Sequence, residues 1–205
     1  MAVGIIDYGL GNLTSVAGAI RKLGHEPIIS SSPEELSSTD RLILPGVGAF
    51  GDGMRLLRER ELVEPLTRMV CDQGKPILGI CLGSQLLGLT SEEFGYQEGL
   101  GWVKVRVRRL PVGEATVRIP HIGWNDLHQI RPSILFKDVP RNAVFYYVHS
   151  YYLDPEDAAL VTGECDYGGR FVGAFEQDNI YATQFHPEKS QRAGLNMLRN
   201  FIEQA

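Results

Sequence analysis

At 205 residues the chain is long enough to bury a substantial core and short enough for a single domain, expected over residues 1–205. Its 43% hydrophobic and 22% charged residues are ordinary for a soluble globular protein, and a net charge of −5 with a pI near 5.6 argues against a nucleic-acid footprint. Three cysteines (Cys71, Cys81 and Cys165) form no C-x-x-C pair and fit a reducing cytoplasm, while the N-terminal apolar stretch stops at Asp7, too short for a signal peptide or membrane span.

In chain order, residues 3–6 read as a short buried strand. The next segment is a helix capped by Asn12, with Leu13, Val16, Ala17, Ile20 and Leu23 on one face and Gly24 ending it. Ser32-Pro33-Glu34-Glu35 has the cap, first-turn proline and capping-box glutamate of a short helix. Residues 42–44 form the next strand, residues 53–72 read as helix with interruptions, and residues 76–80 are again a strand. This alternation predicts an α/β fold with a parallel, doubly wound first half. From Trp102 onward strands dominate: Val103, Val105 and Val107 alternate with Lys104, Arg106 and Arg108. Further strands are expected at residues 144–148, 159–164, 171–176 and 180–185, the last two joined at Gln177-Asp178-Asn179. A final helix turns Leu195, Leu198, Phe201 and Ile202 inward.

Two motifs carry chemistry. Gly79-Ile80-Cys81-Leu82-Gly83 places a cysteine on a strand-to-helix turn, the cysteine form of a nucleophile elbow. On this reading the flanking glycines allow the sharp turn and hold the side chain exposed. The positive end of the following helix favours the thiolate, and the Leu82 N–H lies where an oxyanion develops. The plain alternative is a buried structural cysteine beside two packing glycines. Phe185-His186-Pro187-Glu188 supplies a base and a group to orient it, because residues two apart in extended chain point the same way. His149 is a competitor for the base. Together the motifs favour acyl transfer through a thioester. Gly46-Val47-Gly48-Ala49-Phe50-Gly51 also matches the dinucleotide fingerprint, but the next strand ends at Ile80-Cys81 with no acid for a ribose. The alternative is a Gly-rich loop beside the elbow, with Val47 or Gly48 offering a second oxyanion N–H.

The segments Pro45-Gly46-Val47-Gly48, Gly79 to Gln85 and Gln184-Phe185-His186-Pro187-Glu188 resemble the three signatures of class I glutamine amidotransferases, in family order. Asp7 to Asn12, Pro120 to Asn125 and His186 to Ser190 resemble more specifically the glutaminase subunits of imidazole glycerol phosphate synthases. The resemblance implies a central mixed, mostly parallel sheet with helices on both faces and a site at the strand ends. It implies that Cys81 attacks the glutamine carboxamide, that His186 serves as acid and base, and that Glu188 holds His186. Leu82, Val47 and Gly48 would form the oxyanion hole, and Gln85, Glu93, Ser150 and Tyr151 would hold the glutamine head group. Asn12, Trp124 and Lys189 would face a cyclase subunit, which uses the ammonia to form imidazole glycerol phosphate and an aminoimidazole carboxamide ribotide. No metal or organic cofactor is implied. Asn12 can equally be only a helix cap, Lys189 a solvated charge and Glu93 a surface carboxylate. Lys104, Arg106, Arg108 and Arg109 read as a solvated strand face. Two other functions stay open: a glutaminase serving another synthase, such as the one that makes pyridoxal phosphate, and a non-catalytic glutaminase-like module that binds and regulates a partner.

Overall fold

The computed structural model describes residues 1–110 and 117–205. Strand β1 (Ala2–Ile6) leads into helix α1 (Leu13–Lys22), then β2 (Glu26–Ser30), α2 (Pro33–Ser37), β3 (Arg41–Gly46) and α3 (Phe50–Glu59). Helix α4 (Val63–Thr67) runs into a π-helical turn, Arg68–Asp72, before β4 (Ile77–Cys81) and the short α5 (Leu82–Leu86). Strand pieces β5 (Thr90–Ser91) and β6 (Gln97–Glu98) precede β7 (Val105–Arg109), β8 (His121–Asp126) and β9 (His128–Gln129). Then come β10 (Val144–His149), β11 (Tyr151–Pro155), β12 (Val161–Asp166), β13 (Arg170–Gln177), β14 (Ile180–Thr183) and the closing helix α6 (Gln191–Gln204).

The main sheet runs β2-β1-β3-β4-β14-β13-β11-β7-β5-β6, with β12 branching from β13 and β9 pairing with β12. From β2 through β14 every neighbouring pair is parallel. Strand β13 then returns antiparallel to β14 across the turn at Asp178-Asn179, where Asp178 takes a φ of +51°. Strands β8 and β10 pair antiparallel as a separate small sheet.

Successive residues of the parallel strands feed two different cores, as a strand's period of two requires. Ile5, Ile43 and Leu78 pack with Val16 and Ile20 of α1 and Leu198 and Phe201 of α6. Ile6, Leu42, Leu44 and Ile77 pack on the other side with Leu36, Leu57, Leu66 and Leu86 from α2 to α5. Those strands therefore read as unbroken apolar runs.

Local details refine the expectations. Asn12 closes α1 by accepting the Ser15 N–H at 3.4 Å. Ser32 caps α2 through the Glu35 N–H, but the return half of the capping box passes through Ser30, whose Oγ accepts from the Ser32 N–H and donates to Glu35. The helix expected from residue 53 starts at Phe50. Gly51 and Gly53 lower its propensity, yet Gly53 lets α3 approach Leu86, where an added Cβ would sit 3.1 Å from the Leu86 methyls. Strand β7 starts at Val105, with Val103 outside it. Strands β2, β8 and β11 were not anticipated: Pro27 and Pro155 suggest turns rather than strands, and Gly123 interrupts the alternation in β8. In α6, Met197 is buried and Leu195 only partly so. The basic face of β7 is paired across the strands, Arg106 with Glu156 at 2.6 Å and Arg108 with Asp154 at 2.7 Å, which fits a solvated ladder.

Candidate active site

Three parallel strand ends meet at one point. Gly46 at the end of β3 lies in register opposite Cys81 at the end of β4, and β14 on the other flank leads straight into Gln184, Phe185 and His186. Ligands of open α/β sheets bind at such carboxyl ends.

Cys81 takes φ +54° and ψ −112°, a region that L-residues avoid. The sharp turn therefore sits on the cysteine itself rather than on its flanking glycines. Gly79 and Gly83 serve close packing instead. A Cβ on Gly83 would fall 1.8 Å from the Leu44 carbonyl oxygen, and one on Gly79 would fall 2.6 Å from Ser84 Cα. Helix α5 thus lies directly on β3 and β4. Its five residues make little more than one turn, so less dipole bears on the thiol than a long helix would supply. The cysteine is not exposed, as the motif suggested, but 6% accessible at the wall of a cleft of about 310 Å³. Val47, Gly48, Leu82, Gln85, Glu93, His149, Ser150 and Tyr151 also line that cleft.

Leu82 opens α5, so its N–H has no acceptor within the helix. Gly48 has φ +103° with open space beside its Cα, and Val47 is 38% exposed. The fingerprint-like glycines thus form a strand-end loop on the cleft.

His186 Nδ1 lies 2.9 Å from Glu188 Oε1, and both side chains are at most 2% exposed. Their meeting does not come from extended chain: Pro187–Lys189 form a 3₁₀ turn that folds the carboxylate back onto the ring. His186 Nε2 is buried without a hydrogen-bond partner, as is Glu188 Oε2. Burial pushes the His186 pKa down, but the charge of nearby Cys81, then the hydrogen bond and charge of Glu188, more than offset it and carry the pKa up to about 10. The ring is therefore coupled to the cysteine through the nitrogen that Glu188 leaves free. Of the two, Cys81 lines the cleft and His186 does not.

His149 cannot offer a free nitrogen. Its Nδ1 lies 2.8 Å from the Tyr151 carbonyl and its Nε2 3.1 Å from His121 Nδ1. Burial lowers its pKa to about 3, and that of His121 to about 4. His121 stacks on Tyr167 with centroids 3.9 Å apart. Both are neutral, engaged histidines, His149 in the cleft wall and His121 behind it.

Glu93 reaches the cleft and is anchored there, Oε2 accepting the Phe50 N–H at 2.6 Å as α3 begins. Gln85 is buried, with its Nε2 donating to the Tyr151 carbonyl and to Gln184 Oε1. Trp124 is 45% exposed and edge-on to Tyr146, its partner across β8 and β10, while Lys189 Nζ lies 5.6 Å from the same ring. Asn12 sits at the start of α1, which packs on the turn carrying Lys189.

Several participants were missed. Ser190 Oγ donates to the His186 carbonyl and accepts the Tyr146 N–H, while the His186 N–H donates to Tyr146 O. These bonds pin the histidine to β10. The Val148 carbonyl accepts from the Cys81 thiol at 3.8 Å, and Gln184 Nε2 donates to Cys81 Sγ, also at 3.8 Å. Backbone carbonyls leave no trace in a sequence. Gln184 did have one, its spacing of two from His186.

A thiol on a strand-end elbow, with a carboxylate-oriented histidine beside it, is the constellation of cysteine-dependent acyl-transfer enzymes. The family model described as "Glutamine amidotransferase class-I" matches residues 4–205, and the chain belongs to that family. It is 46% identical to the imidazole glycerol phosphate synthase subunit HisH of Moorella thermoacetica, covering 98% of this chain and 94% of the relative. It is 48% identical to the subunit of that name from Aquifex aeolicus, covering 98% and 96%. Among solved structures, a glutamine amidotransferase superposes with a TM-score of 0.76 at 21% identity, covering 98% of this chain and 97% of that one. PurLQS from Thermotoga maritima gives a TM-score of 0.75 at 19% identity, with coverage of 98% and 97%. These two likenesses concern the fold.

Proposed function

We propose that this chain is the glutaminase subunit of an imidazole glycerol phosphate synthase, working in the cytoplasm with a cyclase partner and using Cys81, His186 and Glu188. The subunit assignment is supported by the names of relatives aligned over nearly the whole chain. The observation that carries the chemistry is His186, held on Nδ1 by Glu188 and coupled to Cys81 through its unengaged Nε2. Cys81 Sγ attacks the carboxamide carbon of glutamine, and the carbonyl oxygen becomes an oxyanion received by the N–H groups of Leu82 and the Val47-Gly48 segment. Collapse breaks the C–N bond while His186 gives its Nε2 proton to the leaving nitrogen. Ammonia departs and a thioester remains. Water then adds to the thioester, passing a proton to His186, and collapse expels the Cys81 thiolate and glutamate. Glu188 keeps the ring in the working tautomer throughout.

Glu93 receives the substrate ammonium on the side not spent on Phe50. Gln85 contributes its Oε1, its NH₂ group being committed internally. Ser150 and Tyr151 border the cleft and close it over the head group. The face presented to the cyclase is the outer side of the small sheet, where Ile122 is 59%, Trp124 45% and Val144 44% exposed, with Lys189 beside it over Tyr146 and Asn12 at the start of α1 assigned to the same interface.

The test is glutamate release by the chain alone and with purified cyclase, together with Cys81→Ala fed either glutamine or ammonium salt. The expected result is a nearly silent free chain, an active pair, and a mutant complex that turns over on ammonium only. Glutamine hydrolysis by Cys81→Ala would remove the nucleophile. Equal rates with and without cyclase would indicate a stand-alone glutaminase.

A further inference from the structure

The direction of two buried amides is fixed by a carbonyl that can only accept. Tyr151 O receives Gln85 Nε2 at 3.1 Å, so Gln85 turns its NH₂ group to that side. The same nitrogen lies 3.0 Å from Gln184 Oε1, which must therefore accept. Gln184 is fully buried, and with its oxygen committed, its NH₂ group faces Cys81 Sγ at 3.8 Å. A backbone carbonyl on β11 is thus converted, through two amides, into a donor aimed at the sulfur.

We propose that Gln184 is a positioning residue for Cys81, its N–H selecting the thiolate over a thiol resting on the Val148 carbonyl. This rests on the reading of Cys81 as nucleophile. Two contacts compete for the sulfur. Val148 O at 3.8 Å is served only by a protonated thiol, whereas the Gln184 donor is taken up more strongly by a thiolate. The ionisable groups around the site do not duplicate this role. His186 favours the thiolate only while it carries its proton, and Glu188 beyond it is an anion. Tyr8 is a buried phenol without a partner, kept protonated by burial and then by the charge of Cys81. His149 is neutral and engaged on both nitrogens. Gln184 keeps its donor on the sulfur whatever the state of His186, so the same N–H meets the attacking thiolate and the thiolate expelled when the thioester is hydrolysed.

The experiment follows alkylation of Cys81 by iodoacetamide, read by mass at that residue across a pH series, in the wild-type chain, Gln184→Leu and Gln184→Glu. The midpoint is expected to rise by about one pH unit in Gln184→Leu, the size of one charge-assisted hydrogen bond, and further in Gln184→Glu, where an anion replaces the donor. With cyclase present, kcat for glutamine should fall about tenfold below that midpoint, with KM held within about twofold. A midpoint unmoved in the folded variants overturns the proposal, even if activity falls, because a merely structural lesion lowers activity and leaves the ionisation of the sulfur untouched. Should Gln184→Leu fail to fold, Gln184→Glu decides, having the same length and an acceptor for Gln85. Cys81→Ala assayed in parallel separates the failures: if it still hydrolyses glutamine, the parent reading falls, whereas a dead Cys81→Ala beside an unmoved midpoint sinks only the role of Gln184.

Discussion

Cys81 holds a backbone conformation, φ +54°, that costs a non-glycine residue about 1–3 kcal/mol. The strain persists because the elbow around it leaves no room to relax. Cys81→Gly should therefore unfold at higher urea than Cys81→Ala, by about 1 kcal/mol, while both lack hydrolysis. A glycine variant no more stable than the alanine variant would mean that the turn carries no strain. His186 gives a second expectation. Its pKa of about 10 depends on Cys81 and Glu188 acting against burial. In Cys81→Ala the leading opposing influence is gone, so an NMR titration of the His186 ring should find its pKa well below the wild-type value. The linked stability has a definite sign. A pKa raised from about 6.5 to about 10 stabilises the fold fully below 6.5, and that contribution fades as pH rises towards 10. His186→Ala should abolish nearly as much activity as Cys81→Ala, with Glu188→Gln milder, since a unit of residues responds non-additively.

Among the elements, the fit of α5 onto β3 and β4 is the tightest relevant to the site. Gly83→Ala would drive a methyl into the Leu44 carbonyl at 1.8 Å, and neither side of that contact is a flexible side chain. A loss of about 2–4 kcal/mol is expected, measured by urea unfolding, with the elbow displaced. Gly48→Ala meets open space and should cost only about 1 kcal/mol, from its positive φ. The small sheet of β8 and β10 brings its own pH dependence. His121 and His149 are held neutral, with pKa values of about 4 and 3 against about 6.5 unfolded. The unfolded chain therefore binds more protons between these limits, so stability is complete above about 6.5 and is lost as pH falls towards 4. Unfolding free energies measured below and above 6.5 check this. A flat profile on the acid side would contradict the neutral, mutually bonded histidine pair.

At the scale of the whole molecule, the sheet order puts the ends of β3, β4 and β14 side by side, and the small sheet closes over them through Tyr146 and Val148. Tyr146 and Val148 do so through their backbone, and their side chains share the outer face with the exposed Ile122, Trp124 and Val144. A partner seated there touches strands whose carbonyls hold His186 and Cys81. Trp124→Ala should weaken cyclase binding by about 1–2 kcal/mol in a titration and leave the melting temperature of the free chain unchanged. Unchanged affinity would place the cyclase elsewhere. Glutamate release should also rise by about two to three orders of magnitude when the cyclase binds, if it aligns an oxyanion donor of the Pro45 to Gly48 loop; equal rates with and without cyclase would contradict this.

The sequence by itself determined the parallel half of the fold and which side chains meet at its strand ends. Apolar runs such as residues 42–44 and 76–80 are legible because a strand buried on both faces must be apolar throughout. The Gly-Ile-Cys-Leu-Gly and His-Pro-Glu spacings are legible because their chemistry acts over a few residues. Only the tertiary structure decided which histidine is free: His149 and His186 look alike in the chain, and it is the Tyr151 carbonyl and His121 that occupy one while Glu188 and Cys81 claim the other. It also moved the strain from the glycines to Cys81, buried that side chain, and set a glutamine 103 positions away against its sulfur. These outcomes depend on backbone carbonyls and on contacts between distant segments, which side-chain identity in a linear chain does not encode until the sheet brings them together.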